Sequence, residues 1–160
     1  MKHVIMPLIC AVLIASPMFA ADDAPPNQPP KEAYSPGLGE IMTLQQMRHS
    51  KLWFAGKARN WELAAYELDE LKEGFDDAAK LFPTFKDVPV AQMIGDIMKT
   101  SVADLEKAID SKSGPQFAST FDKLTGSCNA CHQAAKHGFI VIGRPAVSPF
   151  TNQIFAPKGK

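Results

Sequence analysis

The sequence carries no net charge, with 17 Lys and Arg against 17 Asp and Glu. Such a balance offers no broad field of one sign, so neither nucleic acid nor an anionic membrane surface is expected as a partner. No apolar run reaches the roughly 20 residues that a membrane-spanning helix needs; the stretch 4–15 falls well short. Cysteine is scarce, with Cys10, Cys128 and Cys131 making up the whole set. Nothing resembles a catalytic triad, a pair of acid/base carboxylates or a phosphate loop, so no enzyme is expected. Alternation with period two is missing as well, apart from the short strand-like run 139–142, and a sheet is therefore not expected.

What is present begins with the apolar stretch itself. Lys2 and His3 form a basic start, residues 4–15 an apolar centre, and Ser16 and Pro17 a break before the small residues Ala20 and Ala21. That is the layout of a secretory signal peptide over 1–21, cut after Ala20 or Ala21, and it implies export to the periplasm. Cys10 would leave with it. Loss of Lys2 leaves 16 basic against 17 acidic side chains, a net charge of −1. Residues 22–34 hold Pro25, Pro26, Pro29 and Pro30 and almost nothing apolar, the composition of a disordered linker.

From Ser35 the periodicity turns helical. Ser35 with Pro36 suits an N-cap and first helical position, and Leu38, Ile41, Met42, Gln45, His49, Leu52 and Trp53 share one stripe. A turn over 57–60 leads to a second helix with Trp61, Ala64, Leu68, Leu71, Phe75, Ala78 and Phe82 on its apolar face; Glu62, Glu67, Asp69, Glu70 and Glu73 are expected on its solvated face, and Pro83 stops it. A third helix opens at Asp87 and Pro89 and runs through Ile109. A fourth starts at Pro115 and ends at Gly138. Four amphipathic helices with short connections pack most simply as an all-α, antiparallel, up-down-up-down four-helix bundle over 35–138, with an extended C-terminal tail over 139–160.

The fourth helix carries Cys128-Asn129-Ala130-Cys131-His132, a C-x-x-C-H motif. Two thiols three positions apart on one helical turn can join the two vinyl groups of a single porphyrin, and the adjacent histidine then faces the iron. One haem c, covalently held by Cys128 and Cys131 with His132 as proximal axial ligand, is the expected cofactor. Three other readings of the same residues exist. A redox disulfide expects a strand–helix setting; a zinc site from Cys128, Cys131, His132 and His137 lacks the usual second ligand pair; and plain core cysteines would leave free thiols in an exported protein.

With these features the chain resembles the cytochrome c′ superfamily over roughly 36–138. The C-x-x-C-H on the last helix, Leu81-Phe82-Pro83 at the end of the second, and the number and order of helices carry the resemblance. It implies thioethers at Cys128 and Cys131 and a proximal His132. The turn after the first helix is short for such proteins, and the tail beyond Gly138 is long.

The other face of the iron is expected to look at the first helix, where Met42, Met47, His49 and Leu52 are the candidates. Met42 is the first choice of distal ligand and His49 the second. A methionine or histidine there closes the iron and makes the protein a periplasmic electron carrier. An apolar neighbour such as Leu52 leaves it open to nitric oxide or carbon monoxide, as the resemblance implies for the family. A non-haem binding module using the two cysteines for metal or a disulfide is the third hypothesis. Arg48, Lys51, Arg59 and Lys136 are candidates to meet the haem propionates or to lie solvated. After Cys131 the chain has no acid and four bases, Lys136, Arg144, Lys158 and Lys160, which suits docking of an acidic redox partner protein. Self-association as a homodimer stays open.

Overall fold

The computed structural model describes residues 34–159. The signal peptide expected over 1–21, and the linker over 22–34 apart from Tyr34, lie outside the described residues. From Ser35 onward the chain forms one compact, all-α unit. Among the described residues there is no β-strand, only an isolated bridge between Phe85 and Val88. No helix among them is long and apolar enough to cross a membrane.

The elements are α1 (Leu38–Lys57), α2 (Trp61–Leu81), α3 (Val90–Met93), a π-helical turn (Ile94–Met98), α4 (Lys99–Asp110) and α5 (Gly114–Ala134). The expected first helix starts later than Ser35 and Pro36 suggest. Gly37 is its N-cap, and the cap has no side-chain hydrogen bond. The expected third helix is continuous in space but not in type, because the π turn separates α3 from α4. The inward row of this segment, apolar except for Ser101, gives the reason. Met93, Ile97, Ser101, Leu105 and Ile109 recur every fourth residue. In a 3.6-residue helix each such step drifts by about 40°, and one wider turn takes up a large part of that drift.

Three helices end alike. Arg59, Lys112 and Lys136 each have positive φ (57°, 53° and 62°) just past α1, α4 and α5. The amide of the following residue returns to the helix in each case: Asn60 to the Ala55 carbonyl at 2.9 Å, Ser113 to Ala108 at 3.3 Å and His137 to His132 at 2.7 Å. These are Schellman caps with a basic residue where glycine is usual. The side chain is tolerated at a cost in backbone strain, and the charge sits at the negative end of the helix dipole. The expected glycine cap at Gly138 is therefore displaced, since α5 ends at Ala134 and Lys136 takes the left-handed position.

The core is built from Leu52, Trp53, Leu68, Leu71, Leu105, Ile109, Phe117, Phe121 and Leu124. In it α1 packs on α2 and α5, α4 on α5 and α2, and the π turn on α5. Two glycines permit close approach. A Cβ at Gly56 would run into the Phe117 ring, and one at Gly74 into the Gln45 and Arg48 side chains. Glu67 departs from its expected solvated place and is buried. Burial holds its carboxyl above the ordinary glutamate range, with Lys51 opposing that shift. On the same α1–α2 seam, Gln45 donates to the Leu71 carbonyl at 2.8 Å. Arg48 pairs with Glu70 at 3.0 Å.

Residues 139–159 have no helix or strand and lie along the helices. Arg144 pairs with Asp122 of α5 and stacks its guanidinium 4.3 Å from the Trp53 ring centre. Farther on, Phe155 packs against Phe54 with ring centres 5.5 Å apart, and its carbonyl accepts from the Asn60 side chain at 3.2 Å.

Candidate functional site

The C-x-x-C-H motif occupies the last two turns of α5. Ser113 caps the start of that helix by accepting from the Gln116 amide, and Pro115 lies in its first turn. Phe117, Phe121 and Leu124 then anchor it in the core, so the motif projects from a rigid rod. Both cysteines are free and half-buried, and Cys128 packs against the core cluster. Burial, with the neighbouring Cys131 sulfur as the lesser cause, pushes the Cys128 thiol up to about 12. Burial raises Cys131 as well. Both sulfurs are therefore thiols at neutral pH, poor nucleophiles and poor metal donors as they stand.

His132 is half-buried, and its Nδ1 lies 3.0 Å from the Ile140 carbonyl oxygen. A carbonyl can only accept, so Nδ1 carries the hydrogen. In the neutral ring Nε2 is then the bare nitrogen, turned away from that bond and able to bind a metal. Such a second bond fixes the tautomer and orientation of a ligating histidine. The donor set thus suits a covalently held haem, with two thiols one turn apart and an imidazole prepared through Nδ1 on the same turn.

The structure describes the alternatives too. No disulfide joins Cys128 and Cys131. Among the described residues no three His, Cys, Asp or Glu side chains gather as a metal site, so the zinc set with His137 is not assembled. His137 instead donates through Nδ1 to the Ala135 carbonyl at 2.7 Å and lies against Phe139.

Comparison of the chain with protein-family models, with curated proteins and with solved structures finds no match.

The distal candidates are placed very differently. His49 is 4% exposed, with its ring 4.4 Å from Phe121 and Nε2 2.8 Å from the Thr125 hydroxyl. That hydroxyl donates its single hydrogen to the Phe121 carbonyl at 2.9 Å. It must therefore accept from His49, which places the proton on Nε2. Burial pushes the His49 pKa down to about 4, so the ring is neutral. Met42 and Met47 are half-buried, and Leu52 is fully buried in the core.

The four basic candidates also separate. Arg48 is held by Gln45 and Glu70, and Lys51 lies 5.4 Å from the centre of the Phe150 ring. Arg59 and Lys136 are exposed cap residues.

Two features of the site are not among the expectations from the sequence. The first is Asn129, whose amide donates to the Ile142 carbonyl and accepts from the Ile142 amide, both at 2.8 Å. Nothing in the spacing of the C-x-x-C-H motif distinguishes its inner residues. The second is the π turn, for which the four-residue period from Met93 to Ile109 was the available signal.

Proposed function

We propose that the protein is an exported, periplasmic monohaem c-type cytochrome that carries electrons and is not an enzyme. The observation that carries this reading is the His132–Ile140 bond, which leaves Nε2 bare beside two free thiols on one turn of α5. Cys128 and Cys131 would hold haem c through thioethers and His132 would bind the iron. Bound there, haem c supplies a one-electron iron couple. The chain's own residues hold the imidazole in one tautomer and exclude water along the Phe121 and Leu124 side of α5.

The contact pairs support the antiparallel, up-down-up-down arrangement. Gly56 lies against Phe117, whereas His49 meets Phe121 and Thr125, so descending α1 corresponds to ascending α5. Met42 is seven residues before His49, about 10 Å along the axis, and the same step on α5 leads from Thr125 to His132. That register favours Met42 as the distal ligand. His49, a turn or more short and already bonded to Thr125, is disfavoured. Ser101 and Ser127, 2.6 Å apart, set the register of α4 on α5 and bring the π turn to the height of Cys131. Wide turns of this type recur at functional sites.

A methionine-ligated iron is closed, which favours electron transfer over capture of nitric oxide or carbon monoxide. An acidic redox partner suits the tail beside the motif, where exposed Phe139 and Val141 adjoin Lys136. The reduced pyridine spectrum of the exported protein tests the cofactor, and the reduced protein under carbon monoxide tests the iron. The reading expects a thioether-bound haem and no rapid spectral change with the gas. A rapid change would assign the iron as open and overturn Met42 as its ligand.

A further inference from the structure

The tail does more at α5 than cover it. Three successive even-numbered tail residues return to the helix at falling positions: Ile140 to His132, Ile142 to Asn129 and Arg144 to Asp122. An extended chain presents alternate residues to one side every 6–7 Å, so residues 140–144 cover about 13 Å, close to the roughly 15 Å of helix from His132 through Asn129 to Asp122. At the middle contact Asn129 both donates to and accepts from the Ile142 backbone at 2.8 Å. The side-chain amide thus replaces a strand partner for a single residue. The guanidinium of Arg144 closes the far end, held by Asp122 and the Trp53 ring. Ile140 itself lies between the helix end, where its amide bonds the His137 carbonyl at 2.9 Å, and the Asn129 clamp on Ile142; its carbonyl therefore has little freedom, and it is the group that holds Nδ1 of His132.

We propose that residues 140–144 form a strap and that Asn129, an inner residue of the C-x-x-C-H motif, is a positioning residue that sets His132 through the strap. This rests on the reading of His132 as an iron ligand. The side-chain hydrogen bonds of Asn129 go to Ile142 and that of His132 goes to Ile140. Asn129 fixes Ile142, Ile142 fixes Ile140, and the Ile140 carbonyl polarises the imidazole by accepting its Nδ1 hydrogen. An imidazole bonded in that way is a stronger donor and favours the oxidised iron. Loosening the strap should therefore raise the reduction potential while leaving the thioethers in place.

The test uses the full-length haem-loaded protein with two substitutions that act on different halves of the clamp. Asn129→Ala removes both clamp bonds. Ile142→Pro removes only the Ile142 amide donor, in a segment with no helix to break. Three readouts are compared with the wild type: reduction potential, exchange of the His132 Nδ1 hydrogen with solvent deuterium, and exchange of the Ile140 amide. The proposal expects faster exchange at both hydrogens and a potential shifted upward in both variants, with the larger change for Asn129→Ala. Wild-type potential and wild-type His132 exchange in both variants would overturn it. Absence of thioether-bound haem from the wild type would instead overturn the functional reading, and the pyridine spectrum separates that failure from a failure of the strap.

Discussion

One end of the helical unit is closed by its own side chains, and the other is closed by polar bonds and half-buried atoms. At the first end Trp53, Phe117 and Phe121 stack among Leu52, Leu105 and Leu124, and Gly56 makes room for the Phe117 ring. At the second, Met42, Met93, Ile94, Ile97, Cys128, Cys131 and His132 are all only partly buried. Asn129 and the tail supply fixed hydrogen bonds there in place of packing. A packed aromatic layer stabilises a fold but leaves no reactive atom accessible. Half-buried sulfur, imidazole and aliphatic groups around one turn are what a flat, largely apolar cofactor would cover. On the proposed reading, stability and chemistry are divided along the length of the helical unit, with His49 and Thr125 at the join.

The largest test of that division is Phe117→Ala. Truncating a fully buried aromatic costs about 3–5 kcal/mol, and urea denaturation should show a loss of that size. If the two ends are separate in function, the folded variant still acquires covalent haem; a variant that folds but cannot hold haem would merge the two ends.

The join has its own signature. The folded-state pKa of His49 is lowered to about 4 from 6.5 by burial, so the unfolded chain binds this proton more readily. The stability His49 contributes is fully present above about pH 6.5 and is lost as pH falls toward 4, at most about 3 kcal/mol from this one group. Stability measured across that window should lose much of its slope in His49→Leu. An unchanged slope would place the ring in water.

A smaller effect is expected at Gly56→Ala, where the new methyl overlaps the Phe117 ring. Overpacking of this kind costs about 1–3 kcal/mol. The double variant with Phe117→Leu should recover part of the loss in a denaturation cycle.

Much of this architecture is written in local sequence. The helical stripes of α1, α2 and α5, the stop at Pro83 and the start at Pro115 follow from apolar spacing and backbone chemistry local to each segment. The C-x-x-C-H motif is equally local. The features that escaped are those set by neighbours in space. Glu67 reads as one more acid on a solvated face, yet it faces α1 and Lys51. Gly138 reads as a cap, but Lys136 takes the position because the His137 amide already closes the helix on His132. Asn129 is one of two inner residues of a motif that specifies neither, and its role depends on where Ile142 lies 13 residues later.

The smallest predicted changes come from the caps, common to both ends. Arg59→Gly, Lys112→Gly and Lys136→Gly each relieve a left-handed backbone at a non-glycine residue and should each stabilise by about 0.5–1 kcal/mol. Lys136→Gly bears most on the haem end. It lies next to the motif, so its gain should appear in denaturation without altering haem attachment.

On the proposed reading Cys128 and Cys131 hold one haem. Intact mass spectrometry of the exported protein, made in cells able to attach haem, tests it most directly. The mature chain should be heavier than its sequence by one haem, with the extra mass surviving denaturation and absent from the Cys128→Ala/Cys131→Ala variant. A wild-type chain at the mass of its sequence alone, made alongside a known c-type cytochrome that is loaded, would contradict it.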